Sequence, residues 1–364
     1  MKIAMIGHKR IPGREGGIEV VVEELATTLA ARGHKVTVYN RRKKGLNIPK
    51  EYKGVKLISV PTIEKKSTDA IIYSFIASIH AVIKDYDVIH YHAIGPSFFI
   101  FIPHIFKKKI IVTVHGLNYK TPKWSGFGAW FIKKGEQLTA KYADKIIVLS
   151  QEQKQYFKDI YNRDTEYIPN GTNLMDIIPA DIIKEKYGLI KGSYILFLSR
   201  VVPGKGLEYL LEAYRQINSN LKLVIAGDSP FLDDFHKKIS EMAEKDKRVQ
   251  LIGFVEGKKL QELYSNTKLF VFPSEAEGMP ICLLEALSYN CECLVSDIPE
   301  NLEVGKNYVY TFKSCNVEDL KEQLEKVLKQ QGKNNNSREY IKQYYSWDIN
   351  VSKTLQCYGE LQCH

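Results

Sequence analysis

Lys2-Ile3-Ala4-Met5-Ile6-Gly7 opens the chain as a short apolar run, and a loop carrying Gly13, Gly16 and Gly17 follows it. From Ile18 to Arg32 the apolar residues recur at helical spacing, and residues 35–39 read as a strand again. Strand, glycine-rich loop, helix, strand is the βαβ unit of a parallel, doubly wound sheet. Further continuous apolar runs at residues 55–60, 88–91, 110–114 and 145–149 suit parallel strands covered on both faces. A second series at residues 194–198, 221–226, 249–252, 269–272 and 293–295 repeats the pattern, with helical stretches between. The fold class expected is therefore α/β, with two Rossmann-like domains facing across a cleft.

The chain has 364 residues, more than one hydrophobic core usually serves. Pro169, Asn170, Gly171 and Pro179 punctuate residues 167–179, which places the boundary there. The expected organisation is one α/β domain over residues 1–170 and a second over residues 171–345. A helical segment at 346–364 is expected to pack back on the first domain, beyond an amphipathic helix at 318–331 and the polar break Asn334-Asn335-Asn336-Ser337. The parallel-sheet rule puts ligands beyond the carboxyl ends of the strands.

The hydrophobic fraction of 44% is that of an ordinary globular chain, and the first strand begins without a cleavable leader, so a cytoplasmic protein is expected. Six cysteines (Cys282, Cys291, Cys293, Cys315, Cys357, Cys363) lack paired CxxC spacing and read as reduced thiols. Charge is uneven. Residues 1–170 carry 28 Lys and Arg against 15 Asp and Glu, whereas residues 171–364 carry 24 against 27. A basic first half asks for an anionic partner. Its basic runs lack nucleic-acid-binding patterns, so nucleic acid is not the expected partner. An anionic membrane surface or a diphosphate-linked acceptor fits the balance. Lys107-Lys108-Lys109 directly after the apolar-aromatic run from Phe98 to Phe106 reads two ways. It is an interfacial segment at the inner membrane face, or a core helix with a solvated end.

The chemistry concentrates at Glu277-Gly278-Met279-Pro280-Ile281-Cys282-Leu283-Leu284-Glu285-Ala286, after the run 269–272 and Pro273-Ser274. Two carboxylates eight residues apart flank a helix start, with Glu285 on a face shared with Ile281. Carboxylates accept hydrogen bonds from sugar hydroxyls, and a helix N-terminus suits a diphosphate. Spacing alone favours the plainer reading of one capping acid and one surface acid. Arg200 and Lys205 lie five residues apart across Pro203-Gly204, past the run 194–198. Both cations could meet one anion, which a diphosphate leaving group requires as its charge develops. The simpler reading is a solvated basic turn.

Glu277 through Glu285 resembles the E-x7-E signature of the retaining glycosyltransferases of family four, which have the GT-B fold. Ser199-Arg200-Val201-Val202-Pro203-Gly204-Lys205-Gly206 resembles that family's R-x-x-x-x-K-G loop, and Ile168-Pro169-Asn170-Gly171 matches its domain junction. The opening from Ile6 to Glu19, including Arg14 and Glu15, is similar to a bacterial surface-polysaccharide subgroup that includes rhamnosyltransferases. The resemblance implies that Arg200 and Lys205 bind the donor diphosphate, and that Glu277 contacts the sugar hydroxyls near the backbone of Gly278, Met279, Pro280 and Ile281. It implies that Glu285 holds the ribose, and that Gly16 and Gly17 approach the diphosphate or acceptor, where glycine allows positive φ. His115 matches a family histidine near the sugar; as an isolated residue it is also a plain loop histidine. His92 reads equally well as structural. The implied partners are a nucleotide sugar and a glycan or lipid-linked acceptor. Ala226-Gly227-Asp228-Ser229-Pro230 lacks a second glycine often found there in the family.

No cofactor or metal is expected, since two cations and a helix terminus are available to the diphosphate. Asp85-Tyr86-Asp87 has D-x-D form but precedes its strand, at the wrong end for the site. A nucleotide-sugar epimerase or phosphorylase of the same fold, or a non-catalytic sugar-nucleotide-binding protein, are the alternatives. A dinucleotide oxidoreductase is disfavoured, because Gly7, Gly13, Gly16 and Gly17 do not form G-x-G-x-x-G.

Overall fold

A computed structural model describes residues 1–13, 16–63, 68–117, 126–229, 234–330 and 336–361. Arg14, Glu15, Pro230, Asn334, Asn335 and Cys363 lie outside the described residues. The chain divides into two compact units, one of Met1–Gly171 with Trp347–His364 and one of Thr172–Ser346.

The first unit begins with β1 (Lys2–Ile6), α1 (Gly17–Ala31), β2 (Lys35–Arg41), β3 (Glu51–Tyr52), β4 (Val55–Val60) and α2 (Thr68–Val82). It continues through β5 (Val88–His92), α3 (Phe101–Ile105), β6 (Ile110–Val114), α4 (Gly126–Tyr142), β7 (Lys145–Val148), α5 (Gln151–Tyr161) and β8 (Glu166–Tyr167). The sheet order is β3-β4-β2-β1-β5-β6-β7-β8, parallel except for β3. Because strand side chains alternate, β1 serves two cores. Ile3 and Met5 pack with Val22, Leu25 and Leu29 of α1, while Ala4 and Ile6 pack with Tyr73 and Ala77 of α2.

The second unit contains α6 (Ile182–Tyr187), β9 (Tyr194–Leu198), α7 (Leu207–Gln216), β10 (Lys222–Ala226), α8 (Asp234–Glu244), β11 (Val249–Gly253) and α9 (Gly257–Asn266). There follow β12 (Leu269–Phe272), α10 (Ile281–Ser288), β13 (Cys293–Ser296), α11 (Pro299–Gly305), β14 (Tyr310–Phe312), α12 (Val317–Lys329) and α13 (Ser337–Tyr344). Its sheet is wholly parallel in the order β11-β10-β9-β12-β13-β14. Ile195 and Phe197 of β9 pack with Leu207, Leu210 and Leu211 of α7 and with Leu320 and Leu324 of α12.

Strand order reverses once in each sheet, between β1 and β5 in the first and between β9 and β12 in the second. These are the topological switch points, where the loops at the carboxyl ends part and leave room for a ligand. The short strands β3, β8 and β14 escape sequence reading because two or three residues carry no periodicity.

The last helix, α14 (Trp347–Glu360), belongs to the first unit. Arg32 Nη2 meets Asp348 Oδ1 at 2.9 Å, and Lys145 Nζ sits 2.8 Å from Glu360 and 3.0 Å from Glu166. Deeper in, the Tyr358 hydroxyl lies 2.7 Å from His90 Nδ1, and His90 Nε2 lies 2.7 Å from Thr113 Oγ1. Tyr358 and His90 are both fully buried. No described helix is long and apolar enough to cross a membrane.

Burial pushes the His90 imidazole down to about 3, so the folded state keeps it neutral. An unfolded histidine takes its proton near pH 6.5; stability from this ring is therefore complete above that pH and is lost as pH falls toward 3, by roughly 5 kcal/mol. We expect Tyr358→Phe, which strands one buried ring nitrogen, to cost about 1–3 kcal/mol at neutral pH in thermal unfolding. His90→Gln should flatten the loss of stability between pH 6 and pH 4; an unchanged slope would show that His90 does not carry it.

Candidate functional site

The switch point of the second unit gathers the acidic and basic motifs. β9 ends at Leu198, and the loop that follows returns to α7 through Gly206, which has φ of +68°. A Cβ on Gly206 would collide with the carbonyl oxygen of Pro273, so only glycine lets this loop rest against the end of β12. The amide of Glu275 donates to the carbonyl of Gly204 at 3.0 Å and joins the two loops. This approach delivers Lys205 to Glu277, and the two side chains form an ion pair. Lys205 Nζ also stands 5.9 Å from the ring centroid of Phe272. Both charged groups are largely screened from water, at 15% and 11% side-chain exposure, which strengthens their attraction.

Arg200 sits on the same loop with an exposed side chain, and among the described residues it makes no ion pair. The structure thus brings Lys205 and Glu277 into contact and leaves Arg200 at the loop's outer edge. α10 starts directly beyond Pro280, whose carbonyl accepts from the amides of Leu283 and Leu284 at 3.1 Å each. Met279 and Pro280 are buried, whereas Gly278 and Ile281 are half-buried. Glu285, one turn into α10, accepts a 3.0 Å hydrogen bond from the Tyr264 hydroxyl on α9. Burial raises the Tyr264 phenol well above its ordinary range, so it remains a donor to that carboxylate.

Cys282 lies amid these groups. Burial and then the negative charge of Glu285 push its thiol up to about 12, with Lys205 acting in the opposite sense and Glu277 in the same one. It is a neutral spacer rather than a nucleophile. Sequence reading missed Cys282 and Tyr264, the first because its type carries no signal inside the motif, the second because it lies on another helix. Cys291 and Cys293 are buried free thiols, each raised mainly by burial. The Ser229 amide donates to Asp228 Oδ1 at 2.8 Å, while the Asp228 carbonyl accepts from the Val201 amide of the basic loop at 3.1 Å.

In the first unit the switch point carries histidines. Gly7, at φ of +125°, ends β1 where a Cβ would collide with the backbone of His92 at the end of β5. His8 follows it, buried beside Asn40. The Asn40 amide donates to the Ile11 carbonyl at 2.7 Å, and its oxygen accepts from the Ile11 amide at 3.0 Å. His8 Nε2, 3.0 Å from that same oxygen, must then be the protonated nitrogen. Its Nδ1 is left as a bare acceptor, buried with no partner among the described residues. His92 Nδ1 lies 3.1 Å from His115 Nε2, and His92 Nε2 is likewise unpartnered. Burial drives His8 and His115 down to about 3, and His92 well below its ordinary value. The cluster therefore presents neutral imidazoles, which exchange hydrogen bonds with hydroxyl groups without a charge of their own.

Gly16 and Gly17 behave differently from the sequence expectation of positive φ. Gly16 is extended, with φ of −172°, and Gly17 begins α1. Small size matters there for another reason: a Cβ on Gly16 would lie 2.9 Å from the Glu19 carboxylate, which accepts from the Lys9 amide at 2.9 Å. The D-x-D at Asp85 and Asp87 is engaged at the amino end of the sheet, where Asp85 pairs with the Lys2 side chain and Asp87 accepts from the Lys2 amide at 2.7 Å. Among the described residues no group of three or more His, Cys, Asp or Glu side chains could hold a metal ion.

Comparison with known proteins bears on the family and the fold. Residues 180–344 match the family described as "Glycosyl transferases group 1", and residues 15–175 match "Glycosyltransferase Family 4". An uncharacterized glycosyltransferase of Methanocaldococcus jannaschii is 26% identical over 98% of this chain and 98% of its own. The UDP-Gal:alpha-D-GlcNAc-diphosphoundecaprenol alpha-1,3-galactosyltransferase of Escherichia coli is 29% identical over 54% of each chain. Among solved structures, sucrose-phosphate synthase of Thermosynechococcus elongatus superposes with a TM-score of 0.86 at 19% identity, covering 100% of this chain and 99% of that one. Anabaena HepE in complex with UDP and glucose gives 0.81 at 17% identity, covering 98% and 100%. With both halves of the chain matched by family models and the fold shared along its length, the protein belongs to the GT-B glycosyltransferases of family four.

Proposed function

We propose that this glycosyltransferase moves a sugar from a nucleotide-diphosphate donor to a glycan or lipid-linked acceptor, retaining the anomeric configuration and using no metal ion. The setting proposed is bacterial cell-surface polysaccharide synthesis, with the protein in the cytoplasm and peripheral on the inner membrane face. The contact of Lys205 with Glu277 carries the reading, because it joins the cation assigned to the diphosphate to the carboxylate assigned to the sugar. Arg200 and Lys205 offset the charge that grows on the leaving diphosphate as the anomeric bond breaks. Glu277 accepts from sugar hydroxyls, and Glu285, oriented by Tyr264, accepts from the ribose. His115 contributes a neutral ring toward the sugar. UDP-sugars are the first donors to screen: the E. coli relative takes UDP-Gal by name, and HepE was solved with UDP and with UDP-glucose.

Without donor, Lys205 and Glu277 neutralise each other, so a diphosphate must compete with Glu277 for Lys205. We expect Glu277→Gln to bind free UDP several-fold more tightly than wild type in calorimetry while transfer falls by ~10²-fold. Glu285→Gln should instead weaken UDP; equal effects of the two variants on UDP affinity would reverse the assignment.

Arg200→Ala should lose ~10²-fold in kcat with an unchanged unfolding temperature, since its side chain is exposed. Near-wild-type turnover would remove Arg200 from the diphosphate site. Activity should also survive EDTA, and a complete loss restored by Mg²⁺ or Mn²⁺ would overturn the metal-independent mechanism.

A further inference from the structure

Among its described residues the first unit carries an exposed apolar face. α2 is apolar almost throughout, with Asp69 and His80 its only ionisable side chains besides the buried Tyr73, and Phe75 and Ile79 on its outer side are 44% and 43% exposed. Ile83, just past its end, is 72% exposed. The stripe Phe75, Ile79, Ile83 has helical four-residue spacing, so it forms one line along the surface. It runs into a second cluster. Phe75 meets Phe99 at 5.4 Å between centroids, Phe99 meets Phe131 at 6.1 Å, and Phe131 stacks on Phe98 at 4.4 Å. From Phe98 the rings continue outward to Trp130 and Phe127, which are 55% and 66% exposed. Phe106 ends α3 at 62% exposure, and Lys108 Nζ donates to the Lys84 carbonyl at 3.1 Å, tying this corner to the end of α2. Within the run from Phe98 to Phe106, Phe99, Ile100 and Pro103 are core, and the far end is surface.

Exposed lysines flank this face, and the carboxylate of Asp85, two residues past Ile83, is paired with Lys2. Lys84, Lys107, Lys133 and Lys134 are exposed, and Lys133 and Lys134 fall three and four residues after Trp130, on the same side of α4. The one carboxylate of α4, Glu136, is buried against the hydroxyls of Tyr156 and Tyr161 and contributes nothing outside. Exposed Trp and Phe with lysines on the same helix is the arrangement of a surface lying at the boundary between headgroups and acyl chains. At 15 residues α2 is too short to span a bilayer, which needs about 20.

We infer that the outer surface of α2, the end of α3 and α4 docks on an anionic phospholipid bilayer, with Phe106, Phe127 and Trp130 entering the interface and Lys107, Lys133 and Lys134 meeting the headgroups. This deepens the peripheral location proposed above and uses none of the residues assigned to the donor. Each lysine near an anionic surface multiplies affinity about fivefold, so binding falls steeply with salt.

The test is flotation of the full chain with phosphatidylcholine vesicles, with and without phosphatidylglycerol, at low and high salt. Two variants are compared: Phe127→Ser with Trp130→Ser, and Lys107, Lys133 and Lys134 each changed to Glu. UDP affinity is measured on the same samples. We expect wild type to float with the anionic vesicles at low salt, and each variant to lose at least tenfold while binding UDP as wild type does. Wild type that stays down with anionic vesicles, or variants that float equally well, would overturn the inference. Wild type that fails to float but forms dimers abolished by the aromatic variant would assign the face to a second copy instead. Loss of UDP binding in wild type sinks the donor assignment and leaves the flotation result standing.

Discussion

Backbone meeting backbone at the carboxyl ends of the central strands is the constraint on which the rest depends. At the first switch point Gly7, just past β1, comes against the backbone of His92; at the second Gly206 comes against the carbonyl of Pro273. A single methyl group at either position would push the strand ends apart. Because the approach is so close, side chains beside these contacts are brought near one another: His8 and His92 in the first unit, Lys205 and Glu277 in the second. The sheets supply the platform, and the glycines set how near the chemistry converges.

Charge is handled in opposite ways in the two units. In the second, Lys205 and Glu277 meet away from bulk water and satisfy one another, with Phe272 beneath the ammonium and Cys282 held as a neutral thiol beside them. A partly buried carboxylate without that cation would be costly, which is why removal of one partner reaches beyond the chemistry of the site. In the histidine cluster of the first unit burial keeps His8, His90, His92 and His115 neutral, so their rings need no countercharge. The price is sensitivity to acid, since every one of these rings binds a proton more readily once unfolded.

The chain closes on itself through α14, which returns to the first unit after the whole of the second. Tyr358 reaches His90 in the middle of the sheet, and Asn350 donates to the Pro169 carbonyl at 2.7 Å where the chain leaves that unit. The two links join the sequence ends of the first unit across an inserted domain, so its stability depends on residues far apart along the chain.

The parallel strands were legible in the sequence because both faces are covered: residues 55–60, 110–114, 194–198 and 269–272 read as strands with the ends the structure has. Arg200, Lys205, Glu277 and Glu285 stood out in the sequence too, since each lies within a short motif whose spacing is local. What only the tertiary structure decided is which groups touch. That Lys205 pairs with Glu277, 72 residues away, and Tyr264 with Glu285, follows from strand order, which no local spacing encodes. Likewise the aromatic face emerges from three separate helices, and Gly16 owes its place to Glu19 rather than to a left-handed turn. Sequence carries the period of each element and the chemistry of each residue; the order in which strands pair, set by packing of the whole domain, determines where that chemistry meets.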